Sequence, residues 1–120
     1  MTSTKDQLFL LTANFHDAPQ GPGPFFCQDC ATIEGVLSYF PILREHLDVH
    51  YIAFDKPREW LVELLGEAHQ NCPTLVAAPR VNAHAALLQT SQVTGRQFAT
   101  DPPAIIAYLI AAYGISHVHV

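Results

Sequence analysis

Three short apolar runs separated by segments of helical period restrict this chain more than any other feature. Leu8–Ala13 (LFLLTA) is continuously apolar up to its threonine, as expected of a strand buried on both faces. Asp48–Phe54 (DVHYIAF) has the β-branched and aromatic make-up of a second strand, and Thr74–Ala78 (TLVAA) of a third. Between the first two, Ile33, Val36, Leu37 and Phe40 recur at helical spacing from Cys30 onward. Pro41 ends or kinks that helix, and Ile42–Leu47 adds a further turn. A second helix is expected from Asp55-Lys56-Pro57, with Asp55 as N-cap and an apolar stripe of Trp60, Leu61, Leu64, Leu65 and Ala68. On that stripe Trp60 is expected in the core. Arg96–Thr100 suggests a short fourth strand. The last helix is the most strongly marked, with Asp101 as N-cap, Pro102 at N1, Ile105, Ile106, Leu109, Ile110 and Tyr113 on one face, and Gly114 as its stop.

A strand-helix-strand start gives a parallel pair with a right-handed crossover, to which the later strands add antiparallel. The expectation is one α/β domain over residues 1–120, with a mixed four-stranded sheet. Asn14–Pro24 (NFHDAPQGPGP) is a loop, Pro79–Gly95 is polar with one helical turn around Ala83–Leu88, and the tail ISHVHV is loosely held.

Composition narrows the partners. The chain has 49% apolar and 14% charged residues, which suits a compact fold. Its net charge of −5, with six Lys and Arg, leaves no footprint for nucleic acid or an anionic membrane. The polar start MTSTKDQ and the short run after it do not suit a signal peptide, and three cysteines are an odd number for a secreted disulfide framework. A cytoplasmic protein is the expectation.

The chemistry lies in FFCQDC. Cys27 and Cys30 fall where the first helix begins, beside unpaired N–H groups and the positive end of the helix dipole. Cys27 lies near the cap and Cys30 one turn in, more buried, which divides them into attacking and resolving thiols. Asp29 opposes the thiolate, and no Lys or Arg lies between Lys5 and Arg44. Two other readings of a C-x-x-C stay open: half of a metal site, which here lacks a second pair, and small core residues. His16 and His69 stand as further ligands for a metal, and His117 and His119 alternate in the tail.

This element order, with C-x-x-C at the first strand-to-helix turn and Cys72-Pro73-Thr74 opening the third strand, resembles the thioredoxin superfamily. The ending Thr100–Gly114 resembles the last helix of glutaredoxins and of glutathione transferase N-terminal domains. FFCQDCATIEGVL, DVHYIAF and NCPTLV together resemble a family of small bacterial thioredoxin-like proteins with no assigned substrate. The resemblance covers most of the chain, apart from Pro79–Gly95 and the tail. It implies a three-layer thioredoxin-like fold with helices on both faces of the sheet, and a cis bond before Pro73 beside the dithiol. It also implies thiol-disulfide exchange by catalytic Cys27 and Cys30 without a cofactor, with Cys72, Pro73, Thr74 and Asp101 toward the substrate. That substrate would be a protein or low-molecular-weight disulfide. Gln28-Asp29 replaces the familiar Gly-Pro and Pro-Tyr dipeptides, so no reduction potential carries over. Gln97-Phe98-Ala99 stands where glutaredoxins have Gly-Gly, which leaves Asp101 as the support for glutathione. The alternatives are a metal- or iron-sulfur-binding module using Cys27, Cys30 and Cys72, or a thioredoxin-like binding domain whose thiols are unused.

Overall fold

The computed structural model describes residues 4–120, so the opening MTS of the polar start lies outside the described residues. Its elements follow the order β1 (Asp6–Leu11), α1 (Gln28–Tyr39), α2 (Leu43–His46), β2 (Leu47–Ile52), α3 (Glu59–Leu65), β3 (Thr74–Val76), β4 (Gln89–Thr90), β5 (Gln97–Thr100) and α4 (Pro102–Tyr113). The sheet order is β2-β1-β3-β5-β4. β1 and β2 are parallel, from Asp6 opposite Leu47 to Leu11 opposite Ile52. β3 runs antiparallel to β1 and to β5, with Thr74 opposite Thr100.

Side-chain alternation along β1 explains the layering. Leu8 and Leu10 join Cys30, Ile33 and Leu37 of α1 and Ile105, Tyr108 and Leu109 of α4 on one face. Phe9 points the other way, into Leu61 and Leu65 of α3 with Val76 and Phe98. Helices therefore cover both faces of a mixed sheet. Each fully buried leucine or isoleucine here contributes about 1.5–3 kcal/mol.

The four-stranded expectation is corrected to five strands. Gln89 and Thr90 pair antiparallel with Phe98 and Gln97. They are two exposed polar residues, ordered by the edge of β5 and not by any apolar pattern of their own. β1 also begins earlier than its apolar run, because Asp6 and Gln7 are buried in the sheet. Thr12 and Ala13 lie beyond its end.

α3 starts at Glu59, not at Asp55, and Asp55 is not its cap. The Arg58 guanidinium folds back onto the Phe54 carbonyl through Nε at 2.9 Å and Nη2 at 2.6 Å. That contact ties residues 54–58 into a turn. Ala68 falls outside the helix, which stops at Gly66 with φ +91°. Trp60 is 44% exposed and not a core residue. Its ring rests against His50, centroids 4.1 Å apart, and meets Phe9 edge-on.

α4 follows its sequence signals. The Asp101 carboxylate accepts the Ala104 N–H at 3.1 Å, and Gly114 adopts the left-handed conformation at the C-cap. The tail is held at one point, Ile115, which packs into the core.

Candidate functional site

Cys27 is the N-cap of α1. Its backbone is extended (φ −78°, ψ 114°), and its sulfur accepts the Cys30 N–H at 3.1 Å. The sulfur thus takes the place that a serine or aspartate oxygen often occupies at a helix start. Cys30 lies one turn in and is 4% exposed. Its sulfur accepts the Leu11 N–H at 3.4 Å, tying α1 to the end of β1. Burial pushes the Cys30 thiol up, and the neighbouring Cys27 adds to that. All three cysteines are free thiols.

The other face of the pair is formed by the chain entering β3. The Cys27 sulfur approaches the Cys72 carbonyl oxygen at 3.9 Å, and the Cys72–Pro73 peptide is cis. Cys72 is half-buried, and burial pushes its thiol up to about 11 against the opposing pull of the Arg58 guanidinium. Pro73 is buried, and its carbonyl accepts the Thr100 hydroxyl at 3.3 Å. Thr74 is buried with its hydroxyl donated to the Asn71 carbonyl, so it supports the turn before β3 from inside. Asp101 is exposed, one residue beyond the Thr74–Thr100 pair, with φ +68° and ψ 151°. That conformation is strained for a residue with a side chain. Cys27, Cys30, Cys72, Pro73, Thr74 and Asp101 therefore gather at one end of the sheet.

One residue there carries no signal in the sequence. Arg58 is buried, and Nη1 donates to the Gln70 carbonyl at 2.7 Å while two other nitrogens hold Phe54. It brings a positive charge to Cys72 that Lys5 and Arg44 cannot supply. Phe54 in turn stacks on Phe15, rings parallel and 4.3 Å apart. Phe15 and Phe25 bridge the neck of the Asn14–Pro24 loop, so the loop returns the chain directly to Cys27.

On the β2 side of the pair lies a cleft of about 290 Å³, walled by Leu10, Leu11, Ala13 and Ala31, with Phe26 at its lip. Phe26 is 66% exposed. At the cleft's polar end Glu34 accepts from the Tyr51 hydroxyl at 2.6 Å and from Arg44 at 2.6 Å. Glu34 and Arg44 compensate each other, so the cleft offers apolar contact beside the cysteines and little net charge.

Among the described residues no group of three or more His, Cys, Asp or Glu side chains is placed to hold a metal ion. His69 packs its ring on Phe98, and His16, His117 and His119 are exposed. No helix among the described residues is long and apolar enough to cross a membrane.

Residues 5–117 match the model of a protein family described as a protein of unknown function, DUF3088, and the chain belongs to that family. No curated protein matches it, and no solved structure does.

Proposed function

We propose that this protein is a thiol-disulfide oxidoreductase of thioredoxin-like fold, working in the cytoplasm on a protein or low-molecular-weight disulfide. The observation that carries this reading is the asymmetry of the pair. Cys27 is partly exposed at the helix cap with an N–H directed at its sulfur, and Cys30 is buried behind it. In the reducing direction the Cys27 thiolate attacks one sulfur of the substrate disulfide and expels the other as a thiolate. Cys30 then gives up its proton to solvent or to the departing thiolate and attacks Cys27. The second substrate thiolate leaves, and two electrons have passed from the dithiol to the substrate. The steps reversed oxidise a substrate dithiol.

Cys72 serves in this reading as a neutral thiol. With its thiol pushed up to about 11, only on the order of one molecule in a thousand carries the thiolate at pH 8. Its carbonyl, beside the Cys27 sulfur, faces the attacking position, and Pro73 shapes that edge. Asp101 stands at the same end for a substrate ammonium group, which is the support for glutathione among small disulfides.

Limited alkylation with iodoacetamide at pH 8, mapped by mass spectrometry of peptides, tests the division of labour. Cys27 is expected to be labelled first, with Cys30 and Cys72 protected until denaturant is added. First labelling at Cys30 or Cys72 would overturn the assignment of Cys27 as the attacking thiol.

A further inference from the structure

A second cleft opens at the other end of β3, away from the thiols. Ala78 and the turn Pro79–Arg80 leave that strand as Gly95–Arg96 leads into β5, and a cavity of about 510 Å³ lies between them. Its lining includes Arg80, Thr90, Arg96 and Gln97 and no Asp or Glu. The whole chain has six Lys and Arg against eleven Asp and Glu, so two guanidiniums in one carboxylate-free cleft go against the overall charge.

Neither arginine is exhausted by its partners. Arg96 donates Nη2 to the Ala77 carbonyl at 3.0 Å and has no acidic partner among the described residues. Its Nε is shielded from solvent and has no acceptor there. The guanidinium nitrogen left for an outside acceptor is therefore Nη1, which has no acceptor among the described residues and is not shielded as Nε is. Arg80 places Nη1 on the buried Asp6 carboxylate at 2.9 Å, with its side chain 47% exposed. Asp6 is already engaged by the hydroxyls of Tyr108 and Tyr113 and by the Ala78 N–H. The remaining guanidinium donors, with the one carboxylate turned inward, leave the cleft positive.

We propose that this cleft binds the phosphate group of a small anionic molecule, with Arg96 and Arg80 as its ligands. Planar guanidinium forks match phosphate oxygens in pairs, which suits two of them lining one cleft. The site lies at the opposite end of β3 from Cys72 and stands without the redox reading.

Pyrophosphate is the probe, titrated into ¹⁵N-labelled protein at ionic strength held constant with sodium chloride. Saturable shifts are expected at the amides of Gly95, Arg96 and Gln97 and at Arg80. Arg96→Gln is expected to weaken binding at least tenfold, and Lys56→Gln, outside the cleft, to leave it unchanged. Absence of saturable shifts, shifts centred elsewhere, or equal affinity in Arg96→Gln would overturn the proposal. Citrate binding there in place of pyrophosphate would overturn the choice of phosphate. Should Arg96→Gln not fold, the map of shifts on the unaltered protein decides alone.

Discussion

Asp6→Ala is expected to lower the unfolding midpoint by roughly 10–15 °C, corresponding to about 3 kcal/mol at this chain length. Asp6 is fully enclosed at the start of β1, and four donors converge on it. The Ala78 N–H reaches it at 2.8 Å, Arg80 at 2.9 Å and the Tyr108 hydroxyl at 2.6 Å, with the Tyr113 hydroxyl as the fourth. These bonds join β1, the end of β3 and the last helix. Truncation strands two tyrosine hydroxyls and a backbone N–H, and that loss exceeds any relief from removing the charge. The Arg80 contribution is small by comparison, because its side chain is half in water.

The same carboxylate sets an acid limit. Burial alone would raise its pKa, but the bonds from Arg80, Tyr108, Tyr113 and Ala78 hold it below the ordinary 3.8. A depressed folded-state value means that the stabilisation is fully present above the unfolded pKa and is lost as pH falls through the folded one. Thermal unfolding from pH 7 down to pH 2 should therefore show a loss beginning near pH 4–5 that is shallower in Asp6→Asn. An identical acid limb in both proteins would mean that Asp6 does not set this limit.

Cys27→Ser is expected to reduce turnover of a small disulfide to the rate of buffer alone, because no other accessible thiol sits at the helix cap. Cys30→Ser should retain the first step and accumulate a stable mixed disulfide at Cys27. Cys72→Ser should leave the mixed-disulfide chemistry intact, because burial holds the Cys72 thiol neutral and the carbonyl that meets the Cys27 sulfur is kept in the variant. Quenched-reaction mass spectrometry separates these outcomes. Full turnover by Cys27→Ser would eliminate it as the nucleophile.

Local signals in the sequence were enough for the elements that depend on local physics. Asp101, Pro102 and Gly114 bound α4 because caps act within one turn, and the C-x-x-C lies at a cap because a strand and a loop precede it. What stayed hidden depends on distant partners. Asp6 looks like part of a polar start until Ala78, Arg80, Tyr108 and Tyr113 arrive from 72 to 107 positions away. Arg58 sits among charged loop residues, and only its reach to the Phe54 and Gln70 carbonyls buries it and brings it to Cys72. Trp60 shares the spacing of Leu61 and Leu65 closely enough to suggest burial, yet helix geometry turns it outward onto His50. Gln89–Thr90 has no strand character and becomes one because β5 presents an unpaired edge.

Equilibration of the protein against a glutathione or dithiothreitol series, with adducts mapped by mass and metal content measured alongside, tests the dithiol most directly. The expected result is one two-electron transition linking Cys27 to Cys30, with Cys72 remaining a thiol throughout and about 30 mV spanning each tenfold change in the ratio. Absence of that transition, a disulfide to Cys72 in place of Cys30, or near-stoichiometric zinc or iron that is lost in Cys72→Ser would contradict it.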